Sequence, residues 1–285
     1  MMELEQVRVR FVRQDGKELA ADETDWGLTA IDGAAAPQYQ VYTSDQARGD
    51  GSFVTGRRVA ARDLEFSAAV MDAGSNAVLR KAALSFFRPG VEYRIYLTYL
   101  GTTRWITGEL TAFKAPSGPV GEAQTFSAYF LCAKPFWQSV DDFGQDIAAI
   151  TPCWGWPYMD HPIFGVRAAV ANFAREVVFD YDGDVPSYFK ATITCDGPVT
   201  NPRLTGGDGY VRILTGMQQG DVLTIDFEAA RVQMNGENIL AKVDRASSFS
   251  AMKMGPGENR VSFSADVGEN GMHVVLYYNK QYLGV

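Results

Sequence analysis

Hydrophobic and polar residues alternate along most of the chain, in short runs that end at glycine, proline, aspartate or asparagine. The run VLTIDF in residues 222–227 places every second side chain on the same face, which is typical of a half-buried β-strand. Asp-Gly and Asn-Gly pairs between the runs favour the positive φ angles of tight hairpins. The pattern therefore predicts a mainly β protein built of many short strands.

One segment of the first half departs from this pattern. Residues 4–13, 38–45 and the long run 53–70 are predicted strands, and residues 91–113 form a predicted hairpin with a tight turn near Gly101. Between these strands apolar residues recur at helical spacing until Pro89-Gly90, which predicts a helix that Asp72 or Ser75 caps. Its apolar positions are Val78, Leu79, Ala82, Ala83 and Phe86.

The length of 285 residues fits two domains better than one core. We predict a first β domain with one helix over residues 1–140 and a β-sandwich over residues 163–285. The segment 141–162 between them is rich in proline, glycine and tryptophan. That composition is typical of a linker or an ordered excursion between domains.

The composition limits the cellular environments and the classes of binding partner that we expect for this chain. Hydrophobic residues make up 46% of the chain and charged residues 21%, which is ordinary for a globular protein. The net charge of −8 argues against stable binding to nucleic acid. No apolar run approaches the length of a membrane helix, and the charged N-terminus does not resemble a signal peptide. We expect synthesis in the cytoplasm and no membrane insertion.

The sequence offers no convincing catalytic or metal site. The cysteines Cys132, Cys153 and Cys195 are far apart and form no CxxC pair, so we expect buried free thiols. The two histidines, His161 and His273, have no nucleophile motif beside them. We therefore predict neither a catalytic triad nor a metal site, and we expect that the protein needs no other cofactor.

An alternating acidic run could indicate calcium. Residues 180–184 read DYDGD, as at the start of an EF-hand loop. The twelfth position of that loop is Ala191 where a glutamate is required, and the flanking segments are predicted strands. A hairpin turn is the better interpretation.

Three aromatic residues, Trp154, Trp156 and Tyr158, are clustered in the segment between the domains. Flat aromatic rings stack on the apolar faces of sugars, so a glycan contact is one interpretation. Trp and Tyr are also enriched where subunits meet, and we favour this partner contact.

Three arginines, Arg57, Arg58 and Arg62, follow one strand pattern that continues to Phe66. The simplest interpretation is a solvated or salt-bridging face. Because arginine pairs well with carboxylates, a subunit boundary with acidic residues opposite is also consistent with the pattern. Phosphate binding fits less well in so acidic a chain.

The order of the turn signals in the last third resembles the siphophage distal tail protein family. The signals are Asp182-Gly183-Asp184-Val185-Pro186, Asn201-Pro202, Gly220-Asp221, Asn235-Gly236, Pro256-Gly257-Glu258-Asn259 and Tyr282-Leu283-Gly284-Val285. The first half has matching elements in Asp50-Gly51, Arg58, Arg62 to Phe66, the helix from Ser75, and the segment Cys132 to Trp137. The resemblance covers nearly the whole chain.

This resemblance implies a structural protein of the phage tail tip that is not an enzyme. The first domain would form a hexameric ring at the distal end of a non-contractile tail, in which Arg57, Arg58, Arg62 and Phe66 contribute to the subunit contact. The second, galectin-like or carbohydrate-binding-module-like domain would dock baseplate or receptor-binding proteins, and the ring would join the tail tube and tape-measure protein. The segment from Asp141 to Pro162 is longer and richer in tryptophan than the family leads us to expect.

Two other functions stay open on the sequence alone. A stand-alone carbohydrate-binding β-sandwich, with a host-surface glycan as its ligand, fits the second domain and the aromatic cluster. A glycoside hydrolase needs only two carboxylates, whose spacing in the chain is unconstrained.

Overall fold

The structure, a computed structural model, describes residues 7–117, 122–140, 143–146, 150–152, 169–171 and 175–285. It confirms a mainly β protein, with one α-helix in this described part. The chain divides into two compact units. The first unit runs to Val140 and takes in Gln281–Val285 as well, and the second unit lies between them and ends at Lys280. The closing residues thus lie in the first unit, whereas the sequence pattern predicts a second domain over residues 163–285.

The first unit begins with ten strands and one helix. They are β1 (Arg8–Arg13), β2 (Glu18–Ala21), β3 (Trp26–Asp32), β4 (Tyr39–Asp45), β5 (Ser52–Val59), β6 (Arg62–Val70), α1 (Asn76–Phe86), β7 (Glu92–Tyr99), β8 (Thr102–Lys114), β9 (Thr125–Cys132) and β10 (Trp137–Ser139). A 3₁₀ turn, Ala73–Ser75, precedes α1.

The main sheet of the first unit has the antiparallel order β2-β1-β7-β8-β9-β6-β3, and β10 pairs with β8. Its inner face buries a cluster of aromatic rings against α1. Phe11 lies at the centre, with ring centroids 5.4 Å from both Phe66 and Phe87 and 5.6 Å from Phe130. Large aromatic side chains that alternate along central strands supply most of the apolar area in this core.

The predicted helix and hairpin are both present. Asp72 accepts a bond from the backbone N–H of Gly74 at 3.1 Å, so its side chain stabilises the turn before α1, and Ser75 makes no side-chain cap to the helix. In the β7–β8 hairpin the two turn residues Leu100 and Gly101 both have positive φ. This geometry is that of the two-residue turns that match the twist of paired strands.

The second unit contains short strands and two further 3₁₀ turns. The strands are β11 (Phe143–Asp146), β12 (Ile150–Pro152), β13 (Ala169–Ala171), β14 (Glu176–Tyr181), β15 (Ser187–Cys195), β16 (Val199–Thr200), β17 (Arg203–Gly206), β18 (Gly209–Arg212), β19 (Gly216–Met217), β20 (Val222–Asp226), β21 (Arg231–Met234), β22 (Glu237–Asn238), β23 (Lys253–Met254), β24 (Gly257–Ser264) and β25 (Met272–Tyr278). The 3₁₀ turns are Leu240–Lys242 and Glu269–Gly271.

Two sheets enclose the core of the second unit. One has the order β11-β25-β15-β20-β21-β22 and the other β14-β24-β17-β18. Alternate residues of β15 and β25, such as Ile193 and Leu276, are buried. Gly183 allows the close approach of the Tyr181 ring, whose hydroxyl donates to the carbonyl of Val185 at 2.8 Å. The Asp-Gly turn signal therefore marks a buried tyrosine contact at this position.

The last strand, β26 (Gln281–Tyr282), returns to the first unit and pairs with β10. In the segments that the structure describes, no helix has the length and apolar character needed to cross a bilayer.

Candidate assembly surface

The strands β4 and β5 form a hairpin of their own, which pairs with no other strand of the described chain. We call it the hairpin arm, and it comprises Tyr39–Val59. Solvent reaches nearly every residue of both strands. The long strand run predicted over residues 53–70 is in fact interrupted at Ala60 and Ala61, and its two halves enter different sheets.

Large apolar side chains of the hairpin arm are exposed. Phe53 is 63% exposed, Tyr39 58%, Val41 55%, Val54 51% and Tyr42 48%. An isolated two-stranded hairpin is marginal in water unless another element covers one of its faces. Concentrated exposed apolar area of this kind marks a binding surface in a soluble protein.

Two of the predicted interface arginines lie on this arm. Arg57 and Arg58 are both exposed on β5. The Nε of Arg58 donates to Oε1 of Gln40 across the strands at 2.8 Å, and the hydroxyl of Tyr42 donates to the same oxygen at 3.0 Å. The side chain of Gln40 thus holds the Tyr42 hydroxyl close to the guanidinium of Arg58. Both side chains are exposed and accessible to a binding partner.

Arg62 lies inside the first unit, only 3% exposed. Its guanidinium donates to the carbonyls of Pro135 at 2.7 Å and Gly33 at 2.6 Å, and also to those of Ala35 and Leu283. Because burial disfavours its charge, the pKa of Arg62 is lowered from its usual value. Arg62 therefore fixes the base of the hairpin arm and presents no side chain to a neighbouring subunit.

Phe66 is also buried, with no exposed area. Its ring packs edge-on against Phe11 and Phe130 in the aromatic core. Of the four residues predicted for a subunit contact, Arg57 and Arg58 are thus at the surface. Arg62 and Phe66 lie on β6 and are buried within the first unit.

The closing segment Gln281–Val285 is bound near Arg62, at the start of the hairpin arm. Arg104 donates to the carbonyl of Gly284, and its guanidinium lies 3.5 Å from the centroid of the Tyr282 ring. The backbone N–H of Val285 and the indole N–H of Trp137 both donate to the carbonyl of Ala34, at 3.3 and 3.1 Å. The closing segment and Arg62 together anchor residues 33–35, which precede the hairpin arm.

The described chain shows little reactive chemistry. Burial raises the pKa of Cys132 to about 12, so its thiol is inert at neutral pH. The buried thiol of Cys195 donates to the carbonyl of Gln218. His273 pairs with Asp196 at 2.6 Å on the surface of the second unit. No group of three metal-binding side chains occurs among the residues that the structure describes.

Two further features bear on binding. The outer face of the β25–β15–β20 sheet carries the half-exposed ring of Tyr277 next to Lys190, whose ammonium lies 3.0 Å from Asp226. The aromatic residues Trp154, Trp156 and Tyr158 lie outside the described residues, and their predicted contact stays a prediction.

Comparison with known proteins agrees with the fold. Residues 182–282 match the family described as siphovirus-type tail component, C-terminal domain. No match was found among the curated proteins. These findings confirm the resemblance of the chain to siphophage tail proteins.

Solved structures share the architecture at low sequence identity. The crystal structure of the Dit protein of phage SPP1, described as a paradigm of the hub adsorption apparatus in phages that infect Gram-positive bacteria, matches with a TM-score of 0.70 and 14% identity. The match covers 96% of this chain and 99% of that one. Two structures of the phage P2 baseplate in its activated conformation also match this chain. The structure with calcium has a TM-score of 0.50 and is covered over 97% of its chain. The structure with strontium has a TM-score of 0.53 and is covered over 98% of its chain. Both P2 matches have 11% identity over 96% of this chain.

Proposed function

We propose that this chain, which resembles the siphophage distal tail proteins in its whole fold and in the sequence of its second unit, is a structural hub protein of a phage tail tip. Its first units would assemble into a hexameric ring at the distal end of the tail. Its second units would dock baseplate or receptor-binding proteins. The site of action would be the virion, after synthesis in the bacterial cytoplasm.

The observation that carries this proposal is the agreement between two comparisons of different kinds. A sequence-based family match covers residues 182–282, and a fold match extends over 96% of the chain to a protein described as a hub of a phage adsorption apparatus. The hairpin arm adds a physical reason for assembly, because the described residues of the chain leave both of its faces and both of its outer edges uncovered. A neighbouring subunit would cover them and remove an aggregation hazard.

Arg57 and Arg58 remain our candidates for the polar part of that contact. Their exposure on β5 allows pairing with carboxylates of a neighbouring subunit. A hub of this kind acts by binding and positioning other proteins, so the proposal assigns it no catalytic step.

Negative-stain electron microscopy of the purified protein tests the ring. We expect particles with six-fold symmetry and a central hole. Particles of a single subunit at every concentration, together with failure to join purified tail tubes, would refute the hub.

A second candidate function, glycan binding by the second unit, has one observation in its favour. The exposed ring of Tyr277 lies beside the Lys190–Asp226 ion pair, so an apolar platform adjoins hydrogen-bonding groups. A glycan array tests it, with Tyr277→Ala and a Trp154→Ala/Trp156→Ala double variant as probes. Binding that survives all of these changes would place the glycan elsewhere, and no binding at all would remove this candidate.

A further inference from the structure

One sheet of the second unit, β14-β24-β17-β18, carries arginine and hydroxyl side chains on its outer face. Leu204 and Phe263 of this sheet point into the core and are buried. Because neighbouring residues of a strand alternate, the residues between them lie on the opposite face. On that face Arg203 lies opposite Arg212 on one side and opposite Ser264 on the other. Two like charges in one cross-strand pair destabilise a sheet unless other groups neutralise them.

Arg203 differs from the other covered arginines because it has no acceptor. Five further arginines among the described residues are buried or partly buried, and each donates to a carboxylate or a carbonyl: Arg13, Arg62, Arg80, Arg104 and Arg212. Within the same part of the chain Arg203 has neither a hydrogen bond nor an ion pair, and its Nε is buried. A covered donor without a partner costs free energy and requires an explanation. An acceptor from outside the described chain would supply one.

The ring of Tyr210 fixes the orientation of this guanidinium. The Cζ of Arg203 lies 3.9 Å from the centroid of the ring. Tyr210 lies opposite Thr205, and Thr205 lies opposite Ser262, so hydroxyls of two strands adjoin the stacked pair. Neither of these hydroxyls has a hydrogen-bond partner among the residues that the structure describes. A guanidinium that is held flat on a ring, with hydroxyls beside it, can donate several bonds to one oxyanion.

The carboxylates around this surface limit the class of anion that it can bind. Arg212 pairs with Asp266 and, at 4.0 Å, with Asp244, and Arg260 pairs with Glu176 at 3.0 Å. Asp208, in the turn between β17 and β18, adds a further negative charge. The surface therefore has no excess of positive charge, and a polyanion such as nucleic acid would be repelled as much as attracted. A single carboxylate, recognised through short hydrogen bonds, fits this balance better.

We propose that Arg203, stacked on Tyr210, binds a carboxylate of the protein that docks on the second unit, with Thr205 and Ser262 as further donors. The inference rests on the proposed docking function of this unit, and it names the face and the chemical group involved. Because Nε is buried, Nη1 and Nη2 are the two donors of the arginine fork that are left for a carboxylate. Arginine and tyrosine are also enriched among the residues that contribute most to binding at interfaces.

Two peptides that differ in one group test this site. The probe is acetyl-Gly-Glu-Gly-amide, and its control is acetyl-Gly-Gln-Gly-amide, which has nearly the same shape and no charge. Calorimetry of the full chain follows the melting temperature of the second unit across a concentration series of each peptide. A ligand that binds only the folded state raises this temperature. We expect the glutamate peptide to raise it and the glutamine peptide to leave it unchanged.

Two variants separate the site from the general effect of charge. Arg203→Met removes charge-assisted hydrogen bonds and should raise the dissociation constant of the glutamate peptide at least about tenfold. Arg231→Met removes the same charge from an exposed position on β21, in the other sheet, and should leave that constant unchanged.

The stability of the same variant without peptide distinguishes a binding role from a structural one. Arg203→Met replaces an unsatisfied buried donor by an apolar side chain, so the melting temperature of the second unit should stay the same or rise. Removal of an arginine that stabilises the fold would lower it. Arg203→Lys, which keeps the charge and loses the fork, should bind the glutamate peptide with intermediate affinity.

Several results would overturn the inference. Equal responses to the two peptides would remove the carboxylate, and tighter binding of inorganic phosphate would assign the site to a phosphate group instead. A lower melting temperature of Arg203→Met with unchanged peptide affinity would make Arg203 structural. All of these results leave the ring standing, since microscopy tests it separately. A chain that binds the glutamate peptide through Arg203 and never assembles would support the site and refute the hub.

Discussion

The strands β5 and β6 follow one another in the chain with only Ala60 and Ala61 between them, and solvent reaches them very differently. Phe53 and Val54 of β5 are 63% and 51% exposed, whereas Phe66 of β6 is fully buried. β6 lies between β3 and β9 in the main sheet, whereas β4 is the only strand among the described residues with which β5 pairs. Apolar residues in a predicted strand thus do not by themselves indicate that the strand is buried within its own unit.

The comparison explains why the hairpin arm is apolar at all. β6 gains its cover from the aromatic core of its own unit, which is sufficient to stabilise it. β5 has large side chains of the same kind that no described residue of the chain covers, and a two-stranded hairpin by itself is at best marginal. In the proposed ring a neighbouring subunit would cover the arm, and this would account for its composition.

Thiol labelling should show the largest difference between the two regions. Cys132 pairs with the first residue of β6, and burial raises the pKa of its thiol to about 12. In a Cys153→Ser/Cys195→Ala background, we expect iodoacetamide at pH 8 to modify Cys132 more than about 1000-fold more slowly than a cysteine placed by Phe53→Cys on β5, because the thiolate is the reactive form. Rates within tenfold of each other would contradict the contrast in burial.

Shortening one phenylalanine in each strand should separate stability from assembly. Phe66→Ala empties part of the aromatic core and should lower the free energy of unfolding of the first unit by about 3–5 kcal/mol. Phe53→Ala should change the monomer by no more than about 0.5 kcal/mol while it weakens self-association. Urea unfolding of the dilute monomer measures the free energy of unfolding of both variants. Equal losses in the two variants would contradict the difference in burial between β5 and β6.

Two arginines offer the same test with charged side chains. Arg62→Met leaves four carbonyls without their buried donor, and we expect a loss of about 3 kcal/mol in the free energy of unfolding. Arg57→Met, at an exposed position, is the matched control and should leave the monomer unchanged. If Arg62→Met left the free energy of unfolding unchanged, other residues would have to anchor the hairpin arm.

Removal of Gln281–Val285 should have a smaller effect, confined to the first unit. The deletion breaks the pairing of β26 with β10 and the bonds of Arg62 and Arg104 to this segment. We expect about 2 kcal/mol of destabilisation, seen by calorimetry as a lower melting temperature of one transition. A shift in the transition of the second unit instead would contradict the assignment of this segment.

Much of the fold could be predicted because alternation, turn signals and helical spacing are local properties. Asn235-Gly236 and Leu100-Gly101 are turns with positive φ, as their positions between strands indicate. The helix was also predicted, but the same spacing included Val78 and Ala82, which face outward, along with Leu79 and Ala83, which face inward. Helical periodicity does not distinguish a core face from an exposed face when both carry apolar residues.

The roles of individual arginines could not be predicted in the same way. Arg58 and Arg62 are four residues apart on one strand pattern, and one is exposed while the other is buried. The partners of Arg62 are backbone carbonyls at Gly33, Ala35, Pro135 and Leu283. Any residue type supplies a carbonyl, so no sequence signal marks these positions. The return of the closing segment to the first unit is likewise a long-range event that local patterns do not encode.

The most direct test of the account is the mass of the protein in solution, measured by light scattering for the wild-type chain and for Tyr42→Ser/Phe53→Ser side by side. We predict a wild-type mass about six times the 31.3 kDa of one chain and a folded monomer for the variant. A variant that assembles as the wild type does would contradict the claim that the hairpin arm is completed by a second copy.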